Sequence, residues 1–200
     1  MHKAELIKLI DRLCGEPAEV EWLEFKKSRV QPPSALGEYI SALANGAALA
    51  RRPFGYLVLG VDDKTHAITH TDFNVHTASI KKQNLLFHVM RGLVPRIHLE
   101  VYEVNHPDGR VVLFEVGAAP GRPVRYYGEA FVRVSGTKTA LKEHPQKEAA
   151  LWHVSNDWSS EIVRNASLSD LGLFGKVWSL QLIRLNAFRG FFSAKSFVGL

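Results

Sequence analysis

The stretch GYLVLGVDD, residues 55–63, constrains the fold most. A strand with one wet face alternates apolar and polar residues, whereas this run stays apolar until Asp62 and Asp63 end it. That is the pattern of a central strand buried on both faces, so other elements must cover it from each side. The two aspartates then stand at its C-terminal end.

The surrounding sequence supplies the cover. KAELIKLIDRLC, residues 3–14, sets Leu6, Leu9, Ile10 and Leu13 at helical spacing, and Gly15 follows as a stop. A strand is predicted at about Glu21–Ser28. After two prolines, Leu36, Tyr39, Ile40, Leu43 and Ala44 predict a helix from near Ser34 to about Ala50. SIKKQNLLFHVMRGLV repeats the helical pattern through Ile80, Leu85, Phe87, Val89 and Met90, and Pro95 closes it. RIHLEVYEV and VVLFEVGAA flank the turn sequence NHPDGR and predict a hairpin. EAFVRVSGT predicts one more strand, and residues 144–153 a short helix. The mixture predicts an α/β (α+β) fold, a mixed β-sheet with flanking helices. It is read as a single domain over residues 1–155 with a hydrophobic helical segment over 156–200.

Composition excludes several classes. The one cysteine, Cys14, forms no internal disulfide, and the N-terminus lacks the apolar core of a signal peptide. No run approaches the ~20 apolar residues of a membrane span, so a cytoplasmic protein with no membrane partner is expected. There is no GxGxxG, GxxxxGK[ST] or GxSxG, which removes nucleotide loops and a serine-hydrolase elbow. Nine histidines form no HExxH or CxxC…HxxxH pattern, so zinc is not expected, and His66, His70 and His76 read as turn residues. A net charge of +5 leans toward a polyanionic partner.

Glu16, Glu19, Glu21 and Glu24 crowd the approach to the first strand and are followed by Lys26, Lys27 and Arg29. Unpaired buried carboxylates are costly, so these acids must be solvated, paired or bound to metal. A period of two puts Glu24 and Lys26 on one face, an arrangement similar to the ExK portion of restriction-endonuclease-like folds. Glu19 lies an odd number of positions from Glu24 and converges with it only from the turn before the strand, where Pro17 stands.

Four blocks in order, EVEWLEFKKS, YISALAN leading to GYLVLGVDD, RPV at 122–124 and AFVRVSGTKT at 130–139, together resemble the Schlafen-type AlbA-like domain. The resemblance runs from about Glu16 to about Trp152. The longer helix-to-strand loop ANGAALARRPFGY, with Arg51 and Arg52, resembles a bacterial subgroup. The family implies a mixed-sheet fold and a nucleic-acid partner, DNA or RNA. In the animal Schlafen proteins a related fold cuts structured RNA, and by that resemblance Glu19, Glu24 and Asp62 are the candidate catalytic and metal-binding residues. Three carboxylates suit Mg²⁺ or Mn²⁺.

Phosphate contact is expected from Lys26, Lys27, Arg29, Arg51, Arg52, Arg125, Arg133, Ser135, Thr137 and Lys138, with Lys81, Lys82, Arg91 and Arg122 as further candidates. The competing readings are plainer. Glu24 pairs with Lys26 or Lys27, and Asp62 only ends a strand. The domain is then a non-catalytic DNA-binding module of a transcriptional or defence system, or a protein-interaction domain that dimerises through its apolar residues 168–192.

Overall fold

The computed structural model describes residues 2–80 and 82–153. The predicted C-terminal helical segment and its dimerisation role lie outside the described residues, as does Lys81. The elements are α1 (Lys3–Cys14), β1 (Leu23–Lys26), α2 (Ala35–Leu49), β2 (Phe54–Leu59), β3 (Ser79–Ile80), β4 (Gln83–Asn84), α3 (Leu85–Gly92), β5 (Leu93–Val94), β6 (Leu99–His106), β7 (Gly109–Gly117), β8 (Arg125–Tyr126), β9 (Glu129–Val134), β10 (Thr137–Ala140) and α4 (Pro145–His153). No helix among them is long and apolar enough to cross a membrane.

β2 is an interior strand, as its unbroken apolar run requires. It pairs with β1 in parallel and with β7 antiparallel, and β6 completes a mixed sheet in the order β1-β2-β7-β6. Leu57 and Leu59 pack with α2, while Val58 packs with Leu6, Leu9, Ile10 and Leu13 of α1. Each such buried side chain contributes about 1.5–3 kcal/mol. A second, antiparallel sheet runs β10-β9-β8-β5. α2 packs on both sheets and is buried almost throughout, which explains its run of Ala and Gly.

Two sequence expectations need correction. Residues 79–94 are not one helix: Ser79 and Ile80 pair with Asn84 and Gln83 as a small ribbon, and α3 starts at Leu85, where the Asn84 side chain caps it by accepting from the Phe87 amide at 3.1 Å. The strand expected over 129–137 is a hairpin instead. Ser135 (φ 50°) and Gly136 (φ 77°) make a two-residue left-handed turn, a conformation in which glycine is at home.

α2 is fastened to the second sheet by polar side chains inside the core. Asn45 Nδ2 donates to the carbonyls of Val124 (3.0 Å) and Phe131 (2.8 Å), and its Oδ1 accepts from the Val124 amide at 2.8 Å. Ser41 Oγ donates to Val124 O at 2.7 Å and accepts from Phe131 N at 3.1 Å. The segments YISALAN, RPV and AFVRV are thus one hydrogen-bonded unit. Asn45→Ala strands a buried amide and a buried carbonyl, and urea denaturation should show a loss of about 3 kcal/mol, whereas an exposed change such as Glu143→Ala should cost almost nothing.

Candidate functional site

β1 is an edge strand, and every second peptide along its open side needs a partner. Two distant side chains provide it. Glu19, in the segment before β1, accepts from the Phe25 amide through Oε1 at 2.8 Å. Arg133 on β9 donates through one terminal nitrogen to the carbonyls of Val20 and Leu23. Its other terminal nitrogen donates to Glu19 Oε2 at 2.8 Å and to Gly136 O at 3.0 Å, and also forms an ion pair with Glu24 Oε2. Arg133 has no exposed surface and Glu24 only 2%. The Glu24 contact is a charge pair without an aligned hydrogen bond, and Arg133 Nε has no partner among the described residues.

Glu24 pairs through its other oxygen with Lys26. Burial pushes the Glu24 carboxyl above its ordinary range; Arg133 and Lys26 pull it back, and Glu19 adds to the rise. Burial is the largest influence on Lys26 and opposes its charge, yet the hydrogen bond and charge of Glu24, with smaller help from Tyr39 and Glu19, together hold that ammonium above its usual value. Lys26 and Lys138 stand 5.3 and 4.7 Å from the centre of the Tyr39 ring, and Lys138 pairs with Glu38. A sequence-adjacent acid and base thus close a network reaching α2 and β10.

Asp62 takes a different place. Its Oδ1 accepts from the amides of Lys64 (2.9 Å) and Thr65 (2.8 Å), and its Oδ2 meets Lys27 at 2.6 Å. The Lys27 bond first, then the two amides, holds its carboxyl far below the usual range. The structure therefore brings Glu19 and Glu24 together on one guanidinium and keeps Asp62 in a turn with its own lysine. A divalent cation does not fit this arrangement: the carboxylates face ammonium, guanidinium and amide donors. Among the described residues, the group of three metal-ligating side chains that do converge is His98, Glu100 and Glu115.

The expected phosphate contacts divide. Arg133 is buried and turned inward, so it offers no donor to a phosphate; a β9 position read as a surface arginine is the frame of the β1 edge. Lys26, Lys27, Lys138 and Arg125 each carry an acidic partner, Arg125 with Glu148 at 3.6 Å. Ser135 and Thr137 are exposed at the hairpin tip. Arg29, Arg51 and Arg52 are exposed with no carboxylate in ion-pair range among the described residues. β1 and β2 run parallel, so Lys27 and Arg29 lie beyond one end of the sheet, while Arg51 and Arg52 lie at the other.

At that second end the sequence reading missed Arg96. Ala118, just past β7, donates to Pro53 O at 3.0 Å, and Gly117 donates to His98 O at 2.8 Å. These bonds bring the segments bearing Arg52, Arg122 and Arg96 to one end of the sheet, and all three arginines are exposed. Arg52 lies 4.0 Å over the Trp22 ring.

The profile of the family described as Schlafen, AlbA_2 matches residues 19–142. The chain belongs to the Schlafen AlbA_2 family. The match begins at Glu19, spans Glu24, Asp62 and Arg133, and ends beside the hairpin that Arg133 anchors. A solved structure similar to this Schlafen AlbA_2 chain is the DIP2311 protein from Corynebacterium diphtheriae, at 17% identity and a TM-score of 0.42, covering 68% of this chain. The match covers 30% of that chain's length. No curated protein matches.

Removing Arg133 leaves two carboxylates facing each other and takes the donor from the Leu23 and Gly136 carbonyls, while Val20 O keeps the Leu23 amide. Arg133→Met should cost about 3–5 kcal/mol, and adding Glu19→Gln and Glu24→Gln should restore part of it. Because the folded state raises the Glu24 pKa, the native protein holds that proton more tightly than the unfolded chain. Stability relative to Glu24→Gln should therefore fall as pH rises from the ordinary carboxylate range through the raised value. Melting curves of both proteins from pH 4 to 8 check the sign.

Proposed function

We propose that this Schlafen AlbA_2 domain binds nucleic acid, DNA or RNA, through the arginine-rich end of its mixed sheet. The observation that carries the reading is that Arg51, Arg52, Arg96 and Arg122 are all exposed at that end without a carboxylate partner among the described residues. A guanidinium already neutralised by an acid releases few counterions from a phosphate backbone, whereas an unpaired one contributes fully. Arg51 leaves α2 in the left-handed region (φ 54°), which turns the chain so that Arg52 stacks on Trp22. A stacked guanidinium keeps its donor edge free and loses little entropy on meeting a phosphate. The Glu19–Arg133–Glu24 network then serves the fold, and the domain is a non-catalytic binding module.

A metal-dependent nuclease centre with Mg²⁺ or Mn²⁺ at Glu19, Glu24 and Asp62 is the second reading. It is favoured by the meeting of Glu19 and Glu24 at one guanidinium. It requires Arg133 and Lys26 to release those carboxylates and Asp62 to leave Lys27. Cleavage of an RNA hairpin by the wild type in Mn²⁺, lost in Glu24→Gln, would establish it.

Binding of duplex DNA and an RNA hairpin, followed by fluorescence anisotropy across a salt series, tests the first reading. Arg51→Ala, Arg52→Ala and Arg122→Ala combined should flatten the log–log salt slope on duplex DNA by up to about three units at roughly 0.9 per phosphate. Lys138→Ala should change it little. An unchanged slope in the triple variant refutes the assignment.

A further inference from the structure

We propose that His98, Glu100 and Glu115 form a binding site for a divalent transition metal, with Zn²⁺ the best match. The site is separate from the Glu19–Glu24–Arg133 network; His98 belongs to the segment that its bond with Gly117 brings to the arginine-rich end, but the proposal does not rest on the nucleic-acid reading.

The β6–β7 hairpin creates it. Its register sets Glu100 directly across from Glu115, two like charges as cross-strand neighbours, which costs stability unless something lies between them. Glu115 is 7% exposed, its carboxylate forms no hydrogen bond among the described residues, and its one ion-pair contact there is His98 Nε2 at 3.7 Å. A carboxylate buried to that degree ordinarily has donors around it. Here its neighbours are a second carboxylate, an imidazole nitrogen, and the Tyr56 and Tyr102 phenols that its charge reaches without a hydrogen bond. Arg12 and Arg52 lie near enough to act on Tyr56, the cross-strand partner of Glu115 on β2, but neither pairs with Glu115.

The surroundings orient the three ligands. Glu100 Oε2 accepts from the Tyr102 hydroxyl, so Oε1 is the oxygen left toward His98 Nε2, at 3.9 Å. Such outer contacts fix the ligating atom and tune its basicity. The Tyr102 phenol is pushed up to about 12, first by that bond to Glu100. Gly117 lies beside His98, where an added Cβ would stand 3.0 Å from His98 Cβ, so glycine leaves the imidazole its place.

The ligand atoms of the three residues all lie within 4.8 Å of one another. Tetrahedral Zn²⁺ with bonds of about 2.0–2.1 Å holds its ligands roughly 3.4 Å apart, so the His98 distances of 3.7 and 3.9 Å must close by up to about half an ångström and no pair by more than about 1.4 Å, through the half-exposed His98 and Glu100 side chains. One nitrogen and two oxygens suit Zn²⁺ better than Mg²⁺, which favours an all-oxygen shell, and three protein ligands leave a fourth position to water.

Isothermal titration of the full chain with ZnCl₂ decides the matter. One Zn²⁺ per chain should bind in the micromolar range and persist in excess Mg²⁺. His98→Ala and Glu115→Gln should each weaken it by about ten-fold or more, while His76→Ala and Glu24→Gln leave it intact. Without metal, Glu115→Gln should melt at or above the wild-type temperature because the repulsion with Glu100 is gone, which also shows the variant folded. No Zn²⁺ binding by the wild type, or binding undiminished in both His98→Ala and Glu115→Gln, overturns the proposal.

Discussion

One buried guanidinium fixes this fold. β1 is an edge strand, and its outward amide and carbonyl at Phe25 and Leu23 are answered by Glu19 and Arg133 rather than by another strand. Arg133 comes from β9 in the second sheet, so the bond that finishes the edge of one sheet also joins it to the other. A buried cation is tolerable only when paired, and Glu19 and Glu24 supply the pairing. The acids crowded before β1 thereby find their place: two of them neutralise the cation that caps the strand they introduce.

The network sets what remains for a partner. Lys26, Lys138 and Arg133 face the carboxylates of the frame, and Lys27 closes the Asp62 turn. Charge committed to internal pairs adds little attraction for a polyanion. Of the arginines without a carboxylate partner among the described residues, Arg51, Arg52, Arg96 and Arg122 sit at the other end of the mixed sheet, where the β2 entry, the turn after β7 and the approach to β6 meet through backbone hydrogen bonds. The paired charges of the frame and the unpaired arginines are different sets of residues, although Arg133, Arg51, Arg52 and Arg122 were all expected to contact phosphate.

The β6–β7 hairpin is a case where a site was hidden by the way motifs are read. Ligand spacing along a helix or a knuckle is visible as a short pattern, and none exists among the histidines. Strand pairing instead brings Glu115 opposite Glu100, and His98 beside Gly117. The turn sequence NHPDGR carried the information, since placing the turn fixes every cross-strand partner on the hairpin.

Local physics decided what the sequence made legible. Helical spacing placed α1 at its observed residues, the unbroken apolar run placed β2 inside a sheet covered by α1 and α2, and the turn residues placed the β6–β7 hairpin. Each depends on neighbours a few residues apart. The helix read over residues 79–94 failed at its start because a cap at Asn84 outweighed periodicity, and the strand read over 129–137 overran the Ser135–Gly136 turn because a tight two-residue turn resembles continued strand. The fate of the charges belonged to tertiary structure alone. Arg133 and Glu19 are 114 residues apart, and nothing local distinguishes a buried arginine from an exposed one. The cost of desolvating a charge, and the partner that offsets it, are set by whichever distant segments the fold brings around it.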